Sequence, residues 1–288
     1  MFTICPVILK KQLLRRCLMT TTAPGLFILV SFLIYFNVML IGIELELKYK
    51  FLAAMFLMTI QIKFLEYGIY VQLIYEYLSM LLESLRCLKE NVNRSAERKQ
   101  SMDWSFCKYF KQNQACLQET WLLVYRLEQY FAWPILLLFL YNGIIILCTV
   151  SWAYVRYIYE TEFVYQIIRL AYISLVLLNM LLLCYLTQKC INQYKKFSNI
   201  LLNLKLYPHD KQMIMIVKEY SQQLMHQPIL FSCNGYININ HMFYGKALLL
   251  ILTYVIILVQ FKLTDWFITE TSVLIVRPTL IIAKRRLN

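Results

Sequence analysis

The stretch Lys246-Ala-Leu-Leu-Leu-Ile-Leu-Thr-Tyr-Val-Ile-Ile-Leu-Val-Gln-Phe-Lys262 is an apolar run with one lysine at each end. A helix needs about 20 apolar residues to cross the hydrocarbon core of a bilayer, so this stretch predicts a membrane span over residues 244–262. The two terminal lysines are compatible with that span, because their long stems can carry the ammonium groups out to the headgroups. This segment is typical of an integral membrane protein.

The composition of the whole chain agrees. Of 288 residues, 60% are hydrophobic and 16% are charged, and the mean hydropathy is +0.56. Soluble domains are about 45–50% apolar and about 25% charged, so a soluble globular protein is excluded. The net charge of +13 therefore does not indicate a nucleic-acid partner, because the cytoplasmic loops of membrane proteins also collect lysine and arginine.

Four further stretches are long and apolar enough to be predicted spans, which gives an all-α polytopic fold with five crossings. They are residues 24–43, 51–75, 131–153 and 164–186. The second contains Lys63 and Glu66, which share a helix face at i, i+3 and can neutralise one another. Two interpretations stay open for this pair: a self-paired bridge in a wet vestibule, or a contact with a ligand.

The distribution of basic residues predicts the orientation. Residues 1–23 hold four lysines and arginines, residues 76–130 hold eight and residues 187–243 hold six, whereas the alternate loops are short and less basic. The positive-inside rule then places the N-terminus in the cytoplasm. The predicted organisation is a cytoplasmic segment (1–23), two spans (24–75), a cytoplasmic helical extension (76–130), two spans (131–186), cytoplasmic anchor helices with a loop (187–243), the last span (244–262) and an extracellular tail (263–288).

Both long cytoplasmic segments contain amphipathic patterns. Apolar residues recur at helical intervals over residues 104–130 and 209–227, which predicts helices that continue below the membrane and pack together. The most polar stretch, residues 90–101, predicts a loop. The apolar positions are Phe106, Phe110, Leu117, Trp121 and Val124 in the first helix, and Met213, Ile216, Val217, Tyr220 and Leu224 in the second.

The last span carries polar residues at a helical spacing. Thr253, Tyr254, Ile257, Gln260 and Phe261 lie at i, i+1, i+4, i+7 and i+8, which predicts a single stripe. Hydroxyl and amide groups are unfavourable against lipid. Two interpretations remain from the physics alone: hydrogen bonds to a neighbouring helix, or the wall of a water-filled pore.

A resemblance bears on this choice. Thr253-Tyr254, followed by five apolar residues and Gln260-Phe261, resembles the signature of the seventh helix of insect gustatory receptors, and residues 231–240 around Gly235 resemble the segment before that helix. The family is related to insect odorant receptors. The resemblance implies a plasma-membrane taste receptor of sensory neurons, a homo- or hetero-tetrameric ligand-gated cation channel that responds to small tastants, and not an enzyme.

The resemblance also implies residue roles. Gln260 and Phe261 map onto the gate and ion path, with Ile257, Thr253 and Tyr254 on the same pore helix. The ligand pocket is expected within each subunit and open to the outside, where aromatic walls with a few polar groups suit sugars and bitter alkaloids equally. The same side chains are compatible with ordinary helix packing. The pocket candidates are Tyr35, Asn37, Met58, Gln61, Lys63, Trp152, Arg169 and Tyr172.

The chain departs from the family at both ends. Members have seven spans, and the five predicted here match the third to the seventh, so we expect the first two to be missing through an incomplete gene model or a real truncation. The tail over residues 263–288 is longer than the family usually has. A truncated receptor could be non-functional on its own.

Other classes remain alternatives. A G-protein-coupled receptor requires an extracellular N-terminus and could carry a glycan at the sequon Asn93-Arg94-Ser95. A membrane enzyme could use a histidine such as His226 or His241, and a secondary transporter would show repeat symmetry. The nine cysteines have no metal-ligand spacing, so free thiols and no metal or cofactor are expected.

Overall fold

The computed structural model describes residues 47–97, 104–159, 163–206 and 210–261 together with Thr264, although not every side chain within the helices is described. Except for two strands of two residues each, the regular elements in this part of the chain are helices. The predicted all-α membrane fold is confirmed. The elements are α1 (Leu47–Glu97), α2 (Trp104–Tyr159), α3 (Phe163–Leu202), α4 (Lys211–His226), β1 (Ser232–Cys233), β2 (Ile237–Asn238) and α5 (His241–Phe261).

Three described helices are long and apolar enough to cross a membrane: Trp104–Ser151, Arg169–Leu202 and His241–Phe261. They overlap the spans predicted over residues 131–153, 164–186 and 244–262. The predicted span over residues 51–75 forms part of α1, but its side chains are described only in part, so its crossing stays a prediction. The predicted segments 1–23 and 24–43 and, except for Thr264, the tail lie outside the described residues.

The first three helices extend well beyond a bilayer. They contain 51, 56 and 40 residues, which corresponds to about 75, 85 and 60 Å at 1.5 Å per residue. The predicted helix over residues 104–130 is confirmed as the first half of α2, with Phe110, Leu117 and Val124 buried. The loop predicted over residues 90–101 is wrong up to Glu97, because α1 continues through these residues and buries Val92 completely.

Helix α4 packs against α2 and α3. Its N-terminus is capped by Asp210, whose carboxylate accepts the Met213 N–H at 3.3 Å, which satisfies one of the free backbone donors of the first turn. The helix ends at His226, two residues before Pro228. The amphipathic helix predicted here is confirmed, since its buried residues are the five apolar ones of the sequence pattern: Met213, Ile216, Val217, Tyr220 and Leu224.

A short hairpin connects α4 to α5. Strands β1 and β2 pair antiparallel, with Ser232 opposite Asn238. The turn between them holds Asn234 at φ 49° and Gly235 at φ 74°, and two successive left-handed residues are what a tight hairpin turn requires, hence the Asn-Gly pair. Helix α5 starts immediately after the hairpin, where the Asn240 side chain accepts the Phe243 N–H at 2.8 Å.

Contacts between helices fix their relative depth. The rings of Tyr67 on α1 and Phe131 on α2 lie 5.4 Å apart, and Leu186 on α3 lies 4.0 Å from where a Cβ on Gly68 would stand. Phe131 and Leu186 are the predicted cytoplasmic ends of two spans, so both ends meet α1 at residues 67–68. Helix α1 therefore reaches this level about two turns before residue 75, the predicted end of its span.

Candidate functional site: the last helix and its supports

Helix α5 is barely covered by its own chain. It has 21 residues, and no residue of its apolar stretch is buried. Its length of about 31 Å matches the hydrocarbon core of a bilayer. Leu249, Leu250 and Phe261 are each about two-thirds exposed (64%, 67% and 67%). An apolar helix exposed to this extent has to be covered by lipid or by other chains.

One side of α5 does contact the same chain. The ring of Phe243 lies 4.9 Å from that of Phe139, and Ile251 packs half-buried against the core. Further along the helix, the Tyr254 hydroxyl lies 2.6 Å from the Ser151 Oγ in a hydrogen bond between α5 and α2. These contacts define the side of α5 that faces its own subunit.

The structure divides the stripe predicted on α5. Thr253, Ile257 and Gln260 are exposed on the side away from the subunit, whereas Tyr254 points toward it, because successive residues of a helix are about 100° apart. Phe261 is also exposed. The Thr253 hydroxyl donates to the Leu249 carbonyl of its own helix at 2.9 Å. The Gln260 amide group has no hydrogen-bond partner among the described residues, so this polar group requires water or another chain.

Polar contacts hold the hairpin of residues 231–240, which forms the base of α5 at its N-terminal end. The Glu128 carboxylate on α2 accepts the backbone N–H of Ser232 in β1. The Thr187 hydroxyl on α3 donates to the Ile239 carbonyl at 2.7 Å. Partial burial raises the pKa of the Glu128 carboxyl, and the hydrogen bonds from Ser232 oppose that shift. Neither Glu128 nor Thr187 was predicted from the sequence, since both partners are distant in the chain.

The predicted pocket is only partly within the described residues. Tyr35 and Asn37 lie outside them, as do the side chains of Met58 and Trp152. Tyr67 on α1 and Leu186 on α3 lie at the same level. Measured along the helix axes from that level, Gln61 lies about 9 Å away on α1 and Arg169 about 25 Å away on α3. The structure therefore does not bring these two pocket candidates together.

Lys63 pairs with a neighbour on its own helix and contacts α2. Its Nζ lies 2.7 Å from the Glu66 carboxylate and 5.7 Å from the centre of the Tyr130 ring. Tyr130 precedes the predicted span over residues 131–153, so the predicted topology would put Lys63 near the cytoplasmic end of its span. The physical reason is that charged groups are least costly close to the headgroups. The self-paired bridge with Glu66 is present in the structure, and a contact with a ligand stays a prediction.

Two buried amide oxygens in the apolar region have no hydrogen-bond partner among the described residues. They are Gln61 Oε1 on α1 and Asn179 Oδ1 on α3. The two residues lie at similar depths, about 9 and 10 Å from the level of Tyr67 and Leu186. Gln61 was a pocket candidate. Asn179 was not, although a single asparagine within an apolar run was a detectable signal. Each oxygen can accept a hydrogen bond from water or from a ligand.

The described cysteines are free thiols that form neither a disulfide nor a metal site within the described residues. Each of the seven cysteines in the described part is a free thiol, and the same part contains no group of histidines, cysteines and carboxylates that could hold a metal ion. Cys233 in β1 is fully buried, and burial raises the pKa of its thiol to about 11. It is therefore protonated and poorly nucleophilic at neutral pH.

Comparison with known proteins shows relatives among chemosensory receptors. Two Drosophila melanogaster proteins named as candidate gustatory receptors, 98b and 98c, are 37% and 35% identical over 217 and 220 residues. These alignments cover 74% and 75% of this chain but 53% of each relative. The chain thus spans about half the length of the curated relatives that it matches.

A solved structure has the same fold. The insect olfactory receptor OR5 from Machilis hrabei superposes with a TM-score of 0.61 over 87% of this chain and 67% of its own, at 13% sequence identity. Its complex with eugenol superposes equally well, with a TM-score of 0.61. At this identity the likeness shows a shared arrangement of membrane helices.

The family assignment rests on nearly the whole chain. Residues 2–265 match the family described as 7tm Chemosensory receptor, and the two Drosophila relatives agree with it. This is a family of receptors and not of enzymes, and with its membrane-spanning helices the chain is a multi-pass membrane protein. The resemblance inferred from Thr253-Tyr254 and Gln260-Phe261 is confirmed at the level of the family: the chain belongs to the 7tm chemosensory receptors.

Proposed function

We propose that the chain is a subunit of a tetrameric, ligand-gated cation channel that responds to small tastants in the plasma membrane of sensory neurons. The names of the two Drosophila relatives support a role in taste. The observation that carries the channel proposal is the exposure of α5. This helix presents Thr253, Ile257 and Gln260 away from its own subunit, and the Gln260 amide has no partner within the described part of the chain.

Four copies of α5 around one axis would cover its exposed apolar side chains and give the Gln260 amides a hydrogen-bonding environment. The apolar flanks would be covered by neighbouring helices and lipid, and the Gln260 amides would contact water in a central pore. A ring of apolar side chains such as Ile257 and Phe261 blocks ions by excluding water, and a small rotation that exchanges this ring for Gln260 lets water and cations enter. In this proposal Tyr254 does not line the pore but ties α5 to Ser151.

The ligand is proposed to be a small organic molecule that binds within one subunit. The olfactory receptor that shares this fold is known in complex with eugenol, a small molecule. In this chain the two open acceptors, Gln61 Oε1 and Asn179 Oδ1, offer hydrogen-bond sites to a ligand hydroxyl. An apolar wall with a few polar groups is the usual composition of such a pocket.

The pore assignment is tested by replacing Gln260 with alanine. We expect Gln260→Ala to change the ratio of sodium to calcium permeability, or the single-channel conductance, by about two-fold or more, because the substitution removes the one amide in the ion path. Currents are measured under voltage clamp in oocytes that express the chain, with surface expression quantified by biotinylation.

Val259→Ala serves as the matched control. Val259 is adjacent to Gln260, is similarly exposed at 45% and lies about 100° around the helix. Its substitution is expected to leave permeability and conductance unchanged. Equal currents for Gln260→Ala and the unmodified chain, at equal surface expression, would remove Gln260 from the ion path. The absence of current from the unmodified chain would count against a channel formed by this chain alone.

A further inference from the structure

Helix α5 is attached to its subunit mainly at its cytoplasmic end. Along the membrane the contacts are a few half-buried apolar side chains and the Tyr254–Ser151 hydrogen bond. At the base, by contrast, the hairpin of residues 231–240 lies between α2 and α3. Its Phe231, Cys233 and Ile239 side chains are buried in the core, so the base is the better-fixed end of the helix.

The strongest polar contact at this base comes from Glu128. Its carboxylate accepts the Ser232 N–H, a contact between residues 104 positions apart. Partial burial of this hydrogen bond reduces competition from water. On the opposite side, the Thr187 hydroxyl holds the Ile239 carbonyl. The hairpin is therefore clamped from α2 and from α3.

The hairpin is stiff enough to transmit a displacement to α5. Its two ends are joined by the hydrogen bond from the Ile239 N–H to the Phe231 carbonyl at 2.8 Å. The next residue, Asn240, caps α5 through the Phe243 N–H. Hence Ser232 is connected to the first turn of α5 through backbone hydrogen bonds without an intervening loop. A shift of β1 must move the start of α5.

We propose that Glu128 is a positioning residue that clamps this hairpin and so sets the resting position of the pore helix. Releasing the clamp lets the base of α5 shift, and the fraction of time that the pore is open without ligand changes. This inference rests on the proposed channel function. The clamp itself has a separate readout, because the buried Cys233 lies next to Ser232 and becomes accessible when β1 moves.

Three variants of the full chain test the proposal. Glu128→Ala removes the acceptor, Glu128→Gln removes the charge but keeps an oxygen that can accept the Ser232 N–H, and Glu119→Ala changes an exposed glutamate nine residues earlier on the same helix. The first readout is the rate at which a maleimide modifies Cys233 in detergent-solubilised protein, measured by peptide mass spectrometry. The second is the ligand-independent current at equal surface expression.

We expect Glu128→Ala to speed the modification of Cys233 by about ten-fold or more, because local opening exposes a thiol that is otherwise shielded. Glu128→Gln and Glu119→Ala are expected to stay within about three-fold of the unmodified chain. The Glu128 charge also raises the pKa of the Cys233 thiol, and the glutamine variant separates that electrostatic effect from the loss of the clamp. The basal current should change in Glu128→Ala and be restored in Glu128→Gln.

The outcomes separate this proposal from the channel proposal. An unchanged Cys233 rate in Glu128→Ala overturns the clamp, whatever the currents are. A faster rate together with an unaltered basal current, in a chain that does conduct, overturns the link between the clamp and the pore helix. If Glu128→Gln behaves like Glu128→Ala in both readouts, the charge and not the acceptor is responsible, and the clamp as proposed is wrong. If the unmodified chain carries no current, the channel proposal fails while the Cys233 rates still decide the clamp.

Discussion

Single side chains join helices that are far apart in the chain. The Tyr220 hydroxyl on α4 donates to Asn113 Oδ1 on α2 at 2.7 Å, and the amide group of Asn113 donates to the Leu81 carbonyl on α1 at 3.1 Å. All three helices are thus connected through one buried amide, where burial raises the pKa of the Tyr220 phenol. Periodicity predicted that Tyr220 is buried. It could not predict Asn113, because its partners lie 32 and 107 positions away in the chain.

This connection predicts the effect of Tyr220→Phe. The variant leaves Asn113 Oδ1 buried with one hydrogen bond fewer, so we expect the free energy of unfolding to fall by about 1–3 kcal/mol. Tyr236→Phe is the control, since Tyr236 is 78% exposed, and its effect should stay within about 0.5 kcal/mol. Denaturant unfolding of the purified protein in detergent measures both. Equal stabilities for the two variants would show that the connection contributes nothing.

At the scale of the elements, the sequence predicted helices better than it predicted their depth. The amphipathic segments and the last apolar stretch form helices as predicted, with α5 starting at His241 where residue 244 was predicted. On α1, residues 67–68 lie at the level of Phe131 and Leu186, about two turns before the predicted end of the span at residue 75. An apolar run shows where a helix can cross, but its neighbours decide where it does. Here Tyr67 contacts Phe131 and Gly68 lies near Leu186, and the sequence pattern does not reveal either contact.

The contacts of α1 with Phe131 and Leu186 give a second prediction, on the depth of Lys63. A spin label introduced by Lys63→Cys should be reached by a water-soluble relaxing agent, because Lys63 lies about 6 Å from the level of Tyr67. A label introduced by Phe56→Cys is the comparison. Phe56 is 57% exposed, contacts Tyr141 on α2 and lies about 10 Å deeper along the axis, so it should be reached by oxygen instead. Power-saturation EPR in liposomes measures both. Equal depth for the two labels, or a deeper one at residue 63, would contradict this level.

For the molecule as a whole, orientation is the property that separates the proposed channel from a G-protein-coupled receptor. The sequon at Asn93 lies near the far end of α1, where the Asn93 side chain accepts the Lys205 N–H at 3.1 Å. Both residues belong to the segments that the positive-inside rule places in the cytoplasm. The topology predicted from charge thus makes Asn93 inaccessible to glycosylation.

The expected outcome is an unchanged electrophoretic mobility after glycosidase treatment of the chain expressed in insect cells, because the glycosylation machinery acts only on luminal segments. An epitope at residue 1 should be stained only after the cells are permeabilised. A glycan on Asn93, or staining of intact cells, would reverse the orientation and with it the assignment of the hairpin to the cytoplasmic side.

One feature of α2 has a mechanical consequence. Pro134 stands inside this continuous 56-residue helix, and a proline leaves the carbonyl four residues earlier, that of Tyr130, without its usual backbone donor. A helix bends most readily at a proline, so Pro134 forms a joint between the arm that is predicted to lie in the cytoplasm and the outer arm. Bending at that joint carries Ser151, about 26 Å farther along the helix, sideways with little distortion of the cytoplasmic arm. Because Tyr254 ties α5 to Ser151, a bend of α2 at Pro134 would displace α5 as well.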